Sequence, residues 1–132
     1  MWFEILDELL SLVDQPVDTV KTRAFGSGRG VWVRFMNGCQ AHLELHRNSL
    51  APLETGWVLE GSLGGFVNGR WYRAGADQEL IDVPVEKIPT SQDAVYDCLE
   101  ETLRSGRPFP ITSESILNVL RLREAIASTR SL

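Results

Sequence analysis

The sequence has few cysteines, no excess of positive charge and no long hydrophobic run. Its 2 cysteines, Cys39 and Cys98, are too few for a disulfide framework and lack the paired spacing of a zinc site. Acidic residues outnumber basic ones by 18 to 13, which argues against nucleic acid or an anionic membrane as a partner. The apolar stretches fall far short of the ~20 residues of a membrane span, and Glu4, Asp7 and Glu8 do not suit a signal peptide. We therefore expect a soluble, cytoplasmic protein.

Residues 1–132 are predicted to form a single domain. With 43% hydrophobic residues, a chain of this length can bury a core by itself. It is too short for most two-domain cofactor enzymes.

Helical patterns lie at both ends of the chain. Apolar residues recur every three or four positions from Trp2 to Val13, which predicts an amphipathic helix that ends before Pro16. After Pro89 the same spacing returns twice. Thr90 or Ser91 is predicted to cap a helix that Gly106 ends, and Thr112 or Ser113 is predicted to cap a last helix. In the first of these two helices we expect the core side chains to be Ala94, Val95, Cys98, Leu99 and Leu103.

Between the helices, about six strands are predicted from Val17 to Val85. Apolar and polar residues alternate there, and Asn37-Gly38 and Asn68-Gly69 are typical of hairpin turns. Short turns join antiparallel neighbours, because parallel strands need long crossovers. The predicted fold class is therefore α+β: an open-faced, mainly antiparallel sheet with helices packed on one face, in the order helix, strands, two helices.

The glycine-rich segments do not predict a nucleotide site. Residues 26–30 and 61–65 lie between strands, whereas phosphate loops lead from a strand into a helix N-terminus. We expect a hairpin turn at the first segment and a bend or bulge at the second.

Metal-binding and catalytic groups are not predicted either. His42, Glu44 and His46 alternate along one strand, but the two histidines are then ~13 Å apart along the backbone, too far to converge on one metal. No serine or cysteine has recognisable triad partners. The sequence therefore predicts no catalytic, cofactor-binding or metal-binding residue.

The two faces of the predicted sheet differ in character. One is continuously apolar and suits packing against helices: Val31, Val33, Phe35, Ala41, Leu43 and Leu45. The other combines aromatic, methionine and charged side chains, the mixture that protein interfaces favour. Its members are Lys21 and the six candidate interface or substrate-face residues Arg23, Trp32, Arg34, Met36, His42 and Glu44. An ordinary solvated face is an equally good interpretation.

The last third of the chain resembles a known family. Gly106-Arg107-Pro108-Phe109-Pro110-Ile111-Thr112, with the helix that follows it, is similar to the Gly-x-Pro-x-Pro-x-Thr linker and final helix of the Gfo/Idh/MocA oxidoreductases. Phe35-Met36-Asn37-Gly38 and residues 60–65 also resemble phrases of that family, so the likeness covers nearly the whole chain.

This resemblance implies the C-terminal domain, which in the family binds substrate and joins subunits beside an N-terminal Rossmann domain that holds NAD or NADP. Met1 and Glu4 stand where the family's His-x-x-Asp pattern has its histidine and its aspartate. Both departures argue against catalysis. The resemblance thus implies a chain that holds no cofactor, is inactive alone, binds at most a small polar substrate and lacks its Rossmann domain. The exposed face would join a homodimer.

Two other hypotheses remain open at this point. One is a free-standing dimerisation or small-molecule-binding module without oxidoreductase activity. The other is a small enzyme in its own right, which would depend on His42, Glu44 and His46 alone.

Overall fold

The structure is a computed structural model that describes residues 2–47, 56–76, 79–83 and 92–129. Within these residues the chain forms three helices and seven strands, so the predicted α+β class is confirmed. They are α1 (Trp2–Val13), β1 (Val17–Phe25), β2 (Gly28–Phe35), β3 (Gln40–His46), β4 (Leu59–Glu60), β5 (Gly64–Val67), β6 (Arg70–Ala74), β7 (Leu80–Val83), α2 (Gln92–Ser105) and α3 (Ser113–Ser128). None of these helices has the length and apolar character needed to cross a bilayer.

In the described parts of the chain all strand pairs are antiparallel, as predicted, but the strands form two sheets instead of one. The first has the order β1-β2-β3 and the second β4-β5-β6-β7. Within each sheet, every pair joins neighbours in sequence, because short connections favour hairpins. Twelve residues separate β3 from β4, so no tight turn forces those two strands to pair.

The chain divides into two compact units. The first contains Met1–Leu50 and Cys98–Leu132, and the second contains Ala51–Asp97. The first therefore holds α1, β1–β3 and α3, and the second holds β4–β7. The predicted strand end at Pro84 and the predicted caps Thr90 and Ser91 lie outside the described residues.

The core of the first unit lies between one face of its sheet and two helices. On β2, Val31, Val33 and Phe35 are buried while Trp32 and Arg34 alternate with them and are exposed, as the two-residue period of a strand requires. α1 contacts α3, and α3 contacts β1. The helices contribute Leu6, Leu9, Val119, Leu122 and Ile126 to this core. The predicted apolar sheet face is therefore the one that faces the core, with Leu43 buried and Ala41 and Leu45 partly buried on β3.

The predicted turns are present, with one difference in length. Asn68 and Gly69 both have positive φ, of 53° and 75°, and join β5 to β6 as a two-residue turn. At the other hairpin, the Phe35 N–H donates to the Cys39 carbonyl at 2.9 Å, so three residues form the loop. Gly38 takes the left-handed conformation there, with φ 88°, which suits the last position of a three-residue loop.

The predicted burial of α2 is wrong. Its bounds and its end at Gly106 agree with the sequence, but α2 contains no buried residue. Val95, Leu99 and Leu103 are 53%, 44% and 78% exposed, Ala94 is exposed, and Cys98 is partly buried. Helical spacing shows which side chains share a face, and in α2 that face is left uncovered.

Candidate functional site

All six candidate residues from the sequence lie on the exposed face of the first sheet or at its edge. The strand register aligns Lys21, Trp32 and His42 in one row across β1, β2 and β3. Arg23, Gly30 and Glu44 form the adjacent row. Arg34 lies one step further along β2, and Met36 follows the end of that strand. Arg23, Trp32, Arg34, Met36, His42 and Glu44 are all exposed. We call this surface, together with Lys21, the exposed sheet face.

Trp32 and His42 form the centre of this face. Their rings are stacked, with centroids 4.4 Å apart and an angle of 13° between the planes. The far edge of the indole leans over Gly30, so a Cβ built at Gly30 would lie 2.7 Å from Trp32 Cη2. Gly30 therefore provides the space that the indole occupies. This glycine was not predicted as part of the site, although its position two residues before Trp32 places it on the same face.

A second aromatic contact lies at the far end of the same face. Phe25 meets the His46 ring edge to face, with centroids 5.3 Å apart. The Phe25 ring also covers Gly28, where a built Cβ would come within 2.7 Å of a ring carbon. Two aromatic rings thus lie over two glycines on one strand. Phe25 was missed at the sequence level because it closes β1, where the alternation of apolar residues stops.

Glu44 lies between the two histidines. Its Oε1 is 3.8 Å from His42 Nε2, and its Oε2 is 3.5 Å from His46 Nε2. The ~13 Å backbone spacing of the histidines therefore does not describe their ring nitrogens, which both lean toward one carboxylate. Even so, no group of three or more His, Cys, Asp or Glu residues suited to a metal ion occurs among the described residues. The arrangement is a set of two potential ion pairs on the surface.

Arg34 is held by an acidic neighbour. Its Nε and Nη2 both contact Asp18 Oδ2 at 2.8 Å. Asp18 lies where the register between β1 and β2 shifts, and this irregularity accompanies its placement beside Arg34. Lys21 and Arg23 on β1 then remain as the cations opposite Glu44 and the histidines on β3.

Each unit also has an open cavity of its own. In the first unit, a groove of about 770 Å³ follows the end of α1, the start of β1 and one side of α3, with Asp14, Asp18, Asn118 and Arg121 among its lining residues. In the second unit, a shallower depression of about 580 Å³ includes Leu63, Trp71 and Arg73. Among the described residues that line them, neither cavity contains a constellation that suggests bond-making chemistry.

Comparisons with known proteins give a likeness of fold. No family model matches the sequence, and no curated protein matches it. Solved structures do match. An oxidoreductase from Bacillus cereus has a TM-score of 0.70 and 13% identity over 98% of this chain and 48% of its own. The UDP-N-acetylglucosamine 3-dehydrogenase GnnA from Acidithiobacillus ferrooxidans has a TM-score of 0.69 and 15% identity over 95% of this chain and 45% of its own. The Bacillus subtilis protein yvaA has a TM-score of 0.72 and 17% identity over 96% of this chain and 47% of its own.

This chain has the fold of one part of these oxidoreductase chains. It spans about half the length of the solved structures it matches. The predicted resemblance to an oxidoreductase domain is thereby confirmed as a likeness of fold.

Proposed function

We propose that this chain is the C-terminal domain of an NAD(P)-dependent, Gfo/Idh/MocA-like oxidoreductase of about twice its length. The observation that carries the proposal is the match of 95% or more of this chain to about half of each oxidoreductase structure. The linker from Gly106 to Thr112 supports the same assignment, since it resembles the family's last linker. The Rossmann domain with NAD or NADP would then lie in the other half of the parent protein.

In this proposal the chain contributes substrate binding and subunit association, and the cofactor supplies hydride transfer. A small polar substrate is supported by one matched structure, which is a dehydrogenase of a nucleotide sugar. The two free cysteines suit a cytoplasmic protein.

The natural protein's mass tests the assignment to a larger enzyme. An antibody raised against this chain should detect a protein of about twice 14.8 kDa in cell extracts. A band near 14.8 kDa would instead support the free-standing binding module. Calorimetric titration of the 132-residue chain with NAD⁺ or NADP⁺ should give no binding heat, and saturable binding would contradict the proposed division of labour.

The exposed sheet face is also proposed to join two copies of the chain. A twofold axis that lies between two such faces, parallel to β2, places β1 of one copy over β3 of the other. The row that contains Arg23 and Glu44 then meets the same row of the second copy, so Arg23 lies opposite the partner's Glu44. Symmetry repeats this contact, and the two copies of Trp32 lie near the axis. Along this row the face would be complementary to itself in charge.

Sedimentation velocity tests the pairing. The chain is expected to sediment as a dimer, and Trp32→Glu should convert it to a monomer by placing a carboxylate at the centre of the apolar contact. Leu12→Glu is the matched control, because Leu12 is 50% exposed on α1, outside the sheet face, and should leave the dimer intact. A monomeric wild type, or a dimer that tolerates Trp32→Glu, would overturn the proposed interface.

A further inference from the structure

We propose that Asn68 is a site of spontaneous deamidation, and that the turn at Asn68-Gly69 permits this modification while the turn at Asn37-Gly38 resists it. These are the two Asn-Gly dipeptides of the sequence, and the structure places both on the surface. The modification does not depend on the proposed pairing of two chains or on the proposed parent enzyme.

Deamidation of an Asn-Gly dipeptide starts from the glycine nitrogen. Asparagine is a thermolabile residue, and a following glycine has no side chain to block the approach. The glycine nitrogen loses its proton and attacks the asparagine Cγ. A bond forms between that nitrogen and Cγ, the bond from Cγ to Nδ2 breaks, and ammonia leaves a five-membered succinimide. Water then opens the ring at either carbonyl, which gives aspartate or isoaspartate. The reaction consumes water and releases ammonia, with no oxidation or reduction.

The turn at Asn37-Gly38 holds both reacting groups. The Gly38 N–H donates to the Phe35 carbonyl at 3.0 Å, so the proton that must be lost is engaged. Asn37 Oδ1 accepts from the Cys39 N–H at 3.0 Å, which restrains the side chain that must rotate to present Cγ. The three-residue loop causes the first of these bonds, because glycine is there the last residue of a four-residue turn that begins at Phe35.

The turn at Asn68-Gly69 is one residue shorter and leaves both groups unengaged. Val67 pairs with Arg70, so the two residues between them form the loop, with φ of 53° at Asn68 and 75° at Gly69. In such a turn the hydrogen bonds are made by the flanking residues. Within the described ranges, neither the Gly69 N–H nor the Asn68 side chain makes a hydrogen bond. The same dipeptide is therefore open to reaction in one hairpin and restrained in the other.

The isoaspartate product would disturb the hairpin in which it forms. Its main chain runs through the former side-chain carbonyl, so the backbone gains an extra carbon between positions 68 and 69. A two-residue turn sets the register of the strands it joins. Isoaspartate at position 68 is therefore expected to weaken the pairing of Val67 with Arg70 and of β5 with β6. Aspartate keeps the normal backbone, and Asp-Gly suits the same turn.

Peptide mapping by mass spectrometry tests the difference between the two turns. The folded 132-residue chain is kept in mildly alkaline buffer, and aspartate plus isoaspartate are followed at both positions. We expect product at Asn68 to form about tenfold faster than at Asn37, because the second site must first break two hydrogen bonds. In concentrated urea, where both turns are lost, the two rates should become similar. Equal rates in the folded chain, or a tenfold difference that persists in urea, would overturn the proposal.

Two matched variants measure each site's share of the ammonia released. Glutamine reacts more slowly because its attack would form a larger ring. Asn68→Gln should therefore remove most of the ammonia released by the folded chain, and Asn37→Gln should remove little. The reverse result would contradict the assignment of the reactive site.

A third variant separates the new charge from the altered backbone. Amide exchange across β5 and β6 should be faster in the purified isoaspartate form than in the unmodified chain, and nearly unchanged in Asn68→Asp. Exchange that is equally slow in the isoaspartate form would overturn the proposed effect on the hairpin, while the rates at the two asparagines test the site itself.

Discussion

Thr22 and Thr129 lie 107 positions apart in the sequence and are joined by a hydrogen bond. The Thr22 hydroxyl donates to the Thr129 carbonyl over 3.3 Å. Thr22 is 1% exposed on the core face of β1, and Thr129 is the C-cap residue that follows α3. The bond ties the end of the last helix to the first strand, so it closes the first unit at the point where its two sequence segments meet.

Replacing Thr22 by valine should destabilise the first unit by about 1 kcal/mol, because the shape is kept while the partly buried carbonyl of Thr129 loses its donor. Urea denaturation followed by circular dichroism measures the change. Thr19→Val is the control on the same strand: Thr19 is exposed, and its effect should stay within about 0.5 kcal/mol. Equal effects at the two positions would mean that the hydrogen bond contributes nothing.

The start of α3 offers a second test. The Thr112 hydroxyl accepts from the Ser115 N–H at 3.1 Å, and the Ser115 hydroxyl accepts from the Thr112 N–H at 3.1 Å, which completes a capping box. Thr112→Ala should lower the free energy of unfolding by about 1 kcal/mol. Thr112→Ser keeps the acceptor and should restore nearly all of the loss, whereas an equal loss in both variants would argue against capping.

Phe35 ends β2 and Met36 follows it. Their replacement by alanine should affect different properties: stability at Phe35 and association at Met36. Phe35 is 1% exposed in the core, so Phe35→Ala should cost about 3–5 kcal/mol of stability. Met36 is 66% exposed, so Met36→Ala should change stability by less than about 0.5 kcal/mol while weakening the proposed dimer. Urea denaturation and sedimentation of the same two samples separate these effects. A large loss of stability in Met36→Ala would place that side chain in the core instead.

Replacing Gly64 by alanine tests the close approach of β5 to β6 in the second unit. A Cβ built at Gly64 would fall on the Tyr72 carbonyl oxygen of the neighbouring strand, a backbone atom that cannot move without disturbing the β5–β6 pairing. Gly64→Ala should therefore destabilise this sheet by about 1–3 kcal/mol. Amide hydrogen exchange across β5 and β6 reads out the loss locally. Gly56→Ala is the control, since a Cβ there meets no atom of the described residues within 4 Å, and unchanged exchange in Gly64→Ala would refute the clash.

The sequence correctly predicted the burial of those elements whose apolar face packs against another element of the fold. α1 shows a helical period and buries Leu6 and Leu9, and β2 alternates strictly and buries Val31, Val33 and Phe35. α2 shows an equally regular apolar stripe, yet Leu99 and Leu103 remain exposed, because periodicity reports the shape of an element and not what covers it. The division into two sheets was missed for a similar reason, since alternation marks strands without naming their partners.

At the candidate site, the sequence predicted the face but not the contacts within it. The strand period was sufficient to place Trp32, Arg34 and His42 on one surface. The stack of Trp32 on His42 and the approach of both histidines to Glu44 depend on side-chain rotamers and on cross-strand register, which a single strand's pattern does not contain.

The position of the Trp32 indole over Gly30 restricts how this surface can change by mutation. Any side chain at position 30 competes with the indole for the same volume, so the two positions are expected to vary together among homologues. Chains that keep tryptophan at 32 should keep glycine at 30, and chains that gain a larger residue at 30 should carry a smaller one at 32. Gly28 is constrained more strictly, because a Cβ there would meet the Leu45 carbonyl oxygen of the neighbouring strand as well as the Phe25 ring, so glycine is expected at 28 whichever residue occupies position 25.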